Sequence, residues 1–506
     1  MELPSDLLCD IFRLVDDSVV DQKYALSQVC VHWRMVALDA PLLWSTLTLV
    51  TPLDIHRLEI VLARSQDLPL DITLPKDSWI SYEKASVDLL TEQRGRIRRL
   101  LVEYDDDHNC FLPRLLSQGF TFPLLEDLHV SRFPADLRPS VFLSAPWLRS
   151  LHLTHLECEK SHGLLVPSLN HLYLDDCTSG LGVGLMTAVF TRCPQLRTLT
   201  YRQANAMFQA DVSDDSSFIN AGGFLPNLQT FRLNVAVSSR FLRFVIGNRV
   251  LHEMEVFTTE GEINATTQEL LSHVFRGLDK PVELRFDSED GSSFEVRDRA
   301  GRIRQLSVLP AAPHLWRLPN LWIELLQQLN ISASLETIYT STCHWNELVS
   351  AFASRPPEGR TELHIKLVYS MLSNFYGGMT GSFPLQLKCP NLVKVVFYES
   401  DGYARWARRD RTILVILDLL SNITSTARSI SLCASDVGLT LIGTDPETLS
   451  ALRVQLPEQF VLCEHCNEQC RDRPETGLEI PLQRRKLLIS GDVSPCTEFG
   501  DILHPR

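Results

Sequence analysis

The densest group of potential metal ligands lies near the C-terminal end of the sequence. Cys463, His465, Cys466 and Cys470 fall within eight residues, and Cys496 follows 26 residues later. Thiolate and imidazole groups are the ligands that zinc prefers, but structural zinc sites usually take paired ligands from both ends of a loop. The second pair is missing here. The sequence therefore predicts unpaired thiols and no metal site, and a zinc site in this segment is the alternative.

Three histidines could serve as general bases. His129, His152 and His171 lie in three successive segments of similar pattern. A nucleophile and its base must instead lie within hydrogen-bond reach of one another. A ladder of exposed polar side chains explains this spacing better than catalysis does.

Catalytic signatures are missing from the sequence. It contains no Walker loop, H-E-x-x-H, G-x-S-x-G or kinase motif. Gly180, Gly182 and Gly184 lack the spacing of a dinucleotide-binding loop and predict a turn. We therefore predict that the chain is not an enzyme and binds no cofactor. A zinc-dependent or hydrolytic enzyme that uses the C-terminal cysteines is the alternative.

Composition limits the partners of the chain. Hydrophobic residues make up 44% and charged residues 22%, which is typical of a folded chain. The formal net charge of −14 disfavours nucleic acid as a partner, because phosphate binding needs a basic surface. The apolar run 412–420 is only nine residues long and contains Asp418, so we expect no membrane span. Thirteen scattered cysteines suit a reducing compartment, which favours the cytoplasm or the nucleus.

The elements that would position a binding surface begin with three short helices. Apolar residues dominate 3–15, and Pro4 suits a first helical turn because its missing N–H costs nothing there. Residues 16–18 break this helix, a second starts near residue 21, and a third covers 32–38. Three helices in about forty residues cannot bury so many large apolar groups among themselves. The surplus must be covered by the rest of the chain or by a partner.

The same segment resembles a known module. It carries LPSDLLCDIF at 3–12, VCVHWR at 29–34, and an alanine-leucine, proline, leucine-tryptophan pattern over 37–44. In this order and spacing it resembles an F-box, especially the F-box-like form abundant in fungal proteins. The resemblance implies docking onto the Skp adaptor. The residues that match the family's helices are Leu3, Pro4, Leu7, Leu8, Ile11, Phe12, Val29, Cys30, Trp33 and Arg34.

A second pattern recurs through the middle of the chain. The unit Pro-x-Leu-x-x-Leu-x-Leu starts at Pro123, Pro146, Pro167, Pro194 and Pro226, at intervals of 23, 21, 27 and 32 residues. The last two apolar positions share one face of a short strand, and the leucine three residues earlier packs in the preceding turn. One such strand cannot bury its face alone, so stacked copies predict a parallel sheet. Further copies and weaker echoes occur at 97–102, 251–256, 303–308, 390–397 and 430–432.

These units resemble leucine-rich repeats of unequal length. The predicted fold is α+β overall, with a small N-terminal three-helix F-box followed by an α/β leucine-rich-repeat-like solenoid. The region between them should hold helices at 55–65 and 82–93 and a strand at 69–74. The predicted boundaries are an F-box-like domain at 1–50, a linking region with first repeat-like units at 51–118, an irregular repeat body at 119–435, and a partly irregular C-terminal tail at 436–506.

Side-chain alternation predicts where another protein would bind. On each strand the residue between the two inward apolar positions must face away from the core. Repeat proteins bind partners on such a sheet face, and Tyr and Arg are frequent interface anchors. We therefore expect a target-binding row, with a site elsewhere, for example at the C-terminal end, as the alternative. The row contains His129, His152, Tyr173, Thr200, Arg232 and Glu255.

Taken together, the resemblance implies a function. An F-box protein brings a target to a ubiquitin ligase that contains the Skp adaptor and a cullin. We expect this chain to be the substrate-recognition subunit of such a ligase. A leucine-rich-repeat scaffold that binds proteins outside any ubiquitin ligase is the alternative.

Overall fold

The computed structural model describes most of the chain in separate ranges. The described residues are 3–14, 20–49, 55–74, 84–103, 121–131, 143–155, 163–175, 183–202, 225–236, 242, 245–246, 249–258, 265–286, 293–308, 326, 333–353, 355–367, 386–399, 409–427, 429–436 and 458–462. The helices among them are α1 (Ser5–Leu14), α2 (Val20–Leu26), α3 (Val31–Leu38), α4 (Ile55–Arg64), α5 (Lys84–Glu92), α6 (Val183–Arg192), α7 (Ala265–Val274), α8 (Trp345–Phe352) and α9 (Arg409–Ser421).

The described strands form one large sheet and one small one. The large sheet has 17 strands. The strands, in chain order, are β1 (Thr46–Thr48), β2 (Leu70–Leu74), β3 (Ile97–Glu103), β4 (Asp127–Ser131), β5 (Ser150–Thr154), β6 (His171–Asp175), β7 (Thr198–Arg202), β8 (Thr230–Ala236), β9 (Glu253–Thr258), β10 (Pro281–Phe286), β11 (Ser293–Asp298), β12 (Ile303–Val308), β13 (Thr337–Ser341), β14 (Thr361–Leu367), β15 (Leu387–Lys388), β16 (Leu392–Glu399), β17 (Ile423–Thr424), β18 (Ile430–Asp436) and β19 (Phe460–Leu462).

The first three helices occur in the segments that the sequence predicts, although α2 ends at Leu26, earlier than the predicted helix that runs to residues 29–30. The carbonyl of Pro4 accepts a hydrogen bond from the amide of Leu8 at 3.0 Å, so Pro4 lies in the first turn of α1. At the start of α3 the Cys30 Sγ accepts from the Trp33 amide at 3.4 Å. A short 3-10 turn at Pro41–Trp44 then leads into β1. The three predicted helices of the N-terminal module are therefore confirmed.

The large sheet is mostly parallel. Strands β1 to β9 follow one another in sequence order, each parallel to the next. From β9 the sheet continues through β12, β11, β10, β13, β14, β16 and β18 to β19. Strands β15 and β17 form the separate pair. The chain is thus a mixed α/β protein with the large parallel sheet that the repeat pattern predicts.

The parallel order is interrupted by a reversed meander. Strand β11 is antiparallel to both β10 and β12, and the three occur in the sheet in the reverse of their chain order. The turn between β11 and β12 is tight, because Asp298 Oδ1 accepts hydrogen bonds from the amides of Ala300 and Arg302, each at 2.9 Å. Gly301 in this turn has a φ of 77°, a conformation that favours glycine. The sequence predicts the strand at 303–308, but the reversal was not predicted.

The Pro-x-Leu unit is a turn that leads into a strand. The amide of the leucine donates to the carbonyl of the residue before the proline, for example from Leu148 to Ala145 at 3.1 Å and from Leu125 to Phe122 at 3.3 Å. Proline suits the second position of such a turn because its φ is already fixed. The turn leucine is then buried beneath the strand, as Leu148 is. This geometry explains why the spacing recurs.

The inward face of the sheet is mostly apolar among the described residues, but it contains a buried arginine. Arg304 is fully buried between Met254 and Val296, where neighbouring strands carry leucine or similar residues. Its guanidinium donates to the carbonyls of Leu251 and Ile303, each at 2.8 Å. Burial lowers the pKa of Arg304 to about 10, because the charged form loses its hydration. Backbone carbonyls therefore hold a cation inside the sheet's core.

Within the ranges that the structure describes, no helix combines the length and the apolar character needed to cross a membrane.

Candidate protein-binding surfaces

Helix α1 divides its apolar residues between two faces. Leu3, Leu7 and Ile11 are exposed, whereas Leu8 and Phe12 are buried. The exposed residues recur every four positions and therefore lie on one stripe of the helix. Leu8 and Phe12, which the sequence predicts for the adaptor-binding surface, are covered in this structure by the chain's own residues. Pro4 is exposed beside the stripe.

Helix α3 adds a second exposed apolar stripe that sequence reasoning missed. Val31, Met35 and Leu38 are exposed on it, while Val36 and Ala37 are buried. Their spacing of four and three residues is the helical signal that could have found them. The exposed large apolar residues of the module are Leu3, Leu7, Ile11, Leu14, Val29, Val31, Met35, Leu38 and Leu42.

Helices α1 and α3 are joined at two points. The His32 Nε2 donates to the carbonyl of Leu3 at 3.2 Å, which joins the start of α3 to the segment just before α1. Further along, the rings of Phe12 and Trp33 meet edge to face with centroids 5.1 Å apart. The contacts hold α1 against α3, and each helix leaves a stripe of apolar residues exposed.

The remaining predicted adaptor residues support this surface. Val29 and Cys30 are exposed in the connection before α3, and Cys30 also caps that helix. The Arg34 Nε donates to the carbonyl of Ser27 at 3.0 Å. Trp33 is half-buried against Phe12. Trp33 and Arg34 therefore fix the shape of the module, in addition to any contact they offer to a partner.

The module packs firmly on the body of the protein. Trp44 is fully buried, and its Nε1 donates to the carbonyl of Ala37 at 2.7 Å. The Arg64 guanidinium lies 4.5 Å from the Trp44 ring and 5.2 Å from the Tyr24 ring, which are cation–π contacts. Arg64 comes from α4 of the body, whereas Tyr24 and Trp44 come from the module. The junction between the N-terminal module and the body is therefore a packed interface in which the Arg64 guanidinium contacts two aromatic rings.

The backbone also joins the two parts. Strand β1 pairs in parallel with β2, with Leu47 opposite Ile72. The buried Lys23 of α2 donates from its ammonium to the carbonyl of Thr46 in β1. The last strand of the module is thus the first strand of the large sheet, and the orientation of the apolar surface relative to the sheet is set by backbone hydrogen bonds.

Residues 1–50 match the family model described as F-box-like. The match spans α1, α2, α3, the 3-10 turn and β1, so the chain carries an F-box-like domain. F-box domains typically bind the Skp adaptor, and the domain points to a role in ubiquitin ligase complexes. No curated protein matches the chain.

On the large sheet, the structure brings the predicted target-binding residues into register. Each pairs directly with the next on the neighbouring strand. In sheet order they are His129, His152, Tyr173, Thr200, Arg232 and Glu255. The predicted alignment is confirmed, although alignment alone does not test binding.

The row begins with stacked rings. His129 and His152 stack with centroids 4.0 Å apart and planes at 16°, and the His152 and Tyr173 rings are 5.6 Å apart. All three side chains are partly exposed. Thr200, which is predicted for the same row and lies between Tyr173 and Arg232, is only 5% exposed. Its hydroxyl has no hydrogen-bond partner among the described residues.

The next part of the row is charged. The Arg232 Nε donates to Glu253 Oε1 at 2.9 Å, and the pair is mostly buried. Burial raises the pKa of the neighbouring Glu255 carboxyl, while Arg202 and Arg232 oppose that rise. Arg232 is therefore engaged within the protein, and its removal would leave two carboxylates side by side.

The row extends beyond the predicted residues. Across the meander and β13 to β14 it continues through Gln305, Glu295, Arg285, Tyr339 and His364. The Arg285 guanidinium lies 4.2 Å from the Tyr339 ring centroid, and the Tyr339 and His364 rings are 4.5 Å apart. The repeat search found β12 as a weak echo but missed β10, β11, β13 and β14, which lack the Pro-x-Leu unit. The plain alternation of apolar and polar residues in 361–367 could have found β14.

Neither surface contains a metal site. Among the described residues, no group of three or more His, Cys, Asp or Glu side chains is arranged to hold a metal ion. Cys463, His465, Cys466, Cys470 and Cys496 lie outside the described residues.

Proposed function

We propose that this chain is the substrate-recognition subunit of a Skp–cullin–F-box type ubiquitin ligase. The F-box-like domain binds the Skp adaptor, and through it a cullin, while the large sheet holds a target protein. The observation that carries the proposal is the apolar surface that α1 and α3 leave exposed in an F-box-like domain.

The apolar surface supports the adaptor half of the proposal. Exposed apolar groups cost free energy that a partner recovers by burying them, at about 25 cal/mol per Å². Large exposed apolar patches mark protein-binding sites. Leu7 and Ile11 lie on the α1 stripe and Met35 lies on the α3 stripe. The adaptor therefore contacts both helices.

The sheet supports the target half. Its stacked rings and paired charges offer both apolar and polar contacts, and Tyr and Arg are frequent interface anchors. We interpret β3 to β9 as irregular leucine-rich repeats of a solenoid, because Pro-x-Leu turns of similar geometry lead into β4, β5, β6, β7 and β8. Repeat arrays use their exposed sheet face for binding.

The mechanism is one of proximity. The chain itself does no covalent chemistry, needs no cofactor and works in the cytoplasm or the nucleus. Holding a target beside a charged ubiquitin-conjugating enzyme raises the effective concentration of the target's lysines. Neither nucleic acid nor a membrane takes part.

The proposal is tested by thiol footprinting of Cys30. Cys30 is exposed in the proposed adaptor surface, whereas Cys193 is buried with its pKa raised to about 12 by burial. Purified chain is treated with N-ethylmaleimide with and without the Skp adaptor, and modified peptides are identified by mass spectrometry. We expect the adaptor to protect Cys30, and Cys193 to stay unmodified in both samples. Unchanged Cys30 labelling in a stable complex would move the adaptor elsewhere, and failure of the two proteins to associate would reject the function.

A scaffold acting outside a ligase is the second candidate. Burial of Leu8, Phe12 and Trp44 within the chain favours it, because these residues serve the protein's own packing. The exposed stripes favour the ligase instead. The two are distinguished by the cullin: a ligase subunit co-purifies with both the adaptor and a cullin, whereas a scaffold co-purifies with no cullin.

A further inference from the structure

A cleft opens in the large sheet at the end where β13 and β14 begin. Its volume is about 620 Å³, and its walls come from the segments that precede β13 and β14, from β16 and from the turn after β11. This volume is within the range of about 300–1,000 Å³ that is usual for ligand sites. Glu362 lines the cleft and lies 3.5 Å from His364 of the row. The cleft is therefore continuous with the exposed sheet face.

The backbone is shaped around this cleft. Gly359 approaches the segment before β13 so closely that a Cβ there would lie 2.8 Å from the carbonyl oxygen of Leu335. On the other side Val393 is the extra residue of a β-bulge, because Thr361 pairs with Leu392 but Glu362 pairs with Lys394. Bulges redirect side chains and are frequent beside functional sites. Gly359 and Val393 both line the cleft.

Among the described residues, the charged groups of the cleft leave one arginine without an ion pair or hydrogen bond. Arg299 forms an ion pair with Glu336, and Glu362 contacts His364. Arg360 is exposed in the wall and makes no hydrogen bond or ion pair within the described part of the chain. The hydrogen bond from His364 lowers the pKa of the Glu362 carboxyl, and Lys394 and Arg360 act in the same direction against burial. The charged form of Glu362 is therefore stabilised by its neighbours.

We propose that this cleft binds an aspartate or glutamate side chain of the target protein, with the Arg360 guanidinium as its partner. A guanidinium and a carboxylate form two parallel charge-assisted hydrogen bonds. One guanidinium balances the single charge of a carboxylate, whereas a phosphate group brings more negative charge beside Glu336 and Glu362 and is repelled more strongly. This inference rests on the proposed function, because it specifies which chemistry the target presents to the sheet.

The test uses a fluorescein-labelled tetraglutamate peptide with an amidated C-terminus. Binding to the full chain is measured by fluorescence anisotropy at low salt, with tetraglutamine and tetralysine peptides for comparison. We expect the wild-type chain to prefer tetraglutamate, and Arg360→Gln to weaken that binding about tenfold or more, as the loss of a charge-assisted hydrogen bond predicts. Arg355→Gln, an exposed arginine outside the lining, is the matched control. Ala333→Trp, which fills the cleft, should also abolish binding.

The outcomes separate this inference from the proposed function. Equal binding of tetraglutamate and tetraglutamine, or an Arg360→Gln variant that binds as well as Arg355→Gln, overturns the inference. Inorganic phosphate that competes better than acetate would assign the cleft to phosphate. Adaptor co-purification is measured on the same samples, because it depends on the N-terminal module and not on the cleft. If the wild-type chain does not co-purify with the adaptor, the proposed function is rejected. If the adaptor co-purifies but the peptide test is negative, only the inference about the cleft is rejected.

Discussion

Leu7 and Leu8 are neighbours in α1, yet Leu7 is 49% exposed and Leu8 is 0% exposed. Successive residues of a helix point about 100° apart, so adjacent leucines can serve different surfaces. One face of α1 holds the module together and the next face is open. This separation makes binding and stability experimentally distinguishable.

The paired substitution Leu7→Asp with Ile11→Asp should abolish association with the Skp adaptor while the sheet stays folded. Two charges on the exposed stripe prevent its burial, and loss of one interface anchor alone commonly costs about 2 kcal/mol, a roughly thirtyfold rise in Kd. Co-purification measures binding and circular dichroism measures folding. Leu8→Ala is the matched control: it should lower the free energy of unfolding by about 2–5 kcal/mol. Normal adaptor binding by the double variant would make the F-box interpretation wrong.

Trp44→Ala should be strongly destabilising. The ring is fully buried between Tyr24, which lies 5.6 Å away, and Arg64. Truncation of a buried tryptophan costs about 3–5 kcal/mol in the free energy of unfolding. Trp44→Phe keeps a ring but loses the bond to the Ala37 carbonyl, so it should cost about 1 kcal/mol from that bond, plus a smaller packing loss. Urea denaturation measures both. Equal effects would show that the hydrogen bond, not the ring, holds the junction.

Tyr173→Ala should weaken target capture without unfolding the sheet. Tyr173 is partly exposed at the end of the stacked rings, and an anchor tyrosine commonly contributes about 2 kcal/mol to binding. Captured proteins are compared by quantitative mass spectrometry between wild type and variant. Thr200→Ala is the control, because Thr200 is in the same row but buried. Arg232→Ala is unsuitable as a test, since it leaves Glu253 unpaired. Unchanged capture by Tyr173→Ala would place the target elsewhere.

Glu255→Gln should stabilise the protein at neutral pH and have no effect near pH 4. Burial raises the folded-state pKa of Glu255, so its contribution is favourable below the ordinary carboxyl pKa and is lost as pH rises through the raised value. An amide does not ionise, so the Glu255→Gln variant keeps the stability that the wild-type protein loses when this carboxyl ionises. Glu362→Gln should show the opposite sign, because the hydrogen bond from His364 lowers the pKa of Glu362. Urea unfolding at both pH values measures the difference, and identical signs for the two variants would contradict the assigned environments.

Much of the sheet could be predicted because its signal is local. The Pro-x-Leu turn and the two apolar positions that follow lie within eight residues, so Leu128 and Val130 mark β4 without any knowledge of distant contacts. The alignment of His129 with His152 then follows from stacking equal units. The helix at 183–192 is likewise evident from its apolar spacing.

The rest depends on contacts that periodicity does not encode. Leu7 and Leu8 are the same residue type in one helix, and only the position of α3 and the body decides which is covered. Arg304 is tolerated at an inward position because its guanidinium donates hydrogen bonds to the carbonyls of Leu251 and Ile303. Strand β11 alternates apolar and polar residues in the usual way, and its direction follows from the tight turn around Gly301.

The reversed meander has a kinetic consequence. Between β4 and β9, paired residues such as His171 and Thr198 are separated by roughly 20 to 30 positions in the chain. Across the meander the separation grows: Glu253 pairs with Ile303, and Glu283 pairs with Thr337. Closing a loop twice as long costs only about 0.6 kcal/mol, yet it delays the contact. While the chain is being synthesised, one side of β9 stays unpaired until β12 has been made. An unpaired strand edge can pair with strands of other molecules, which leads to aggregation.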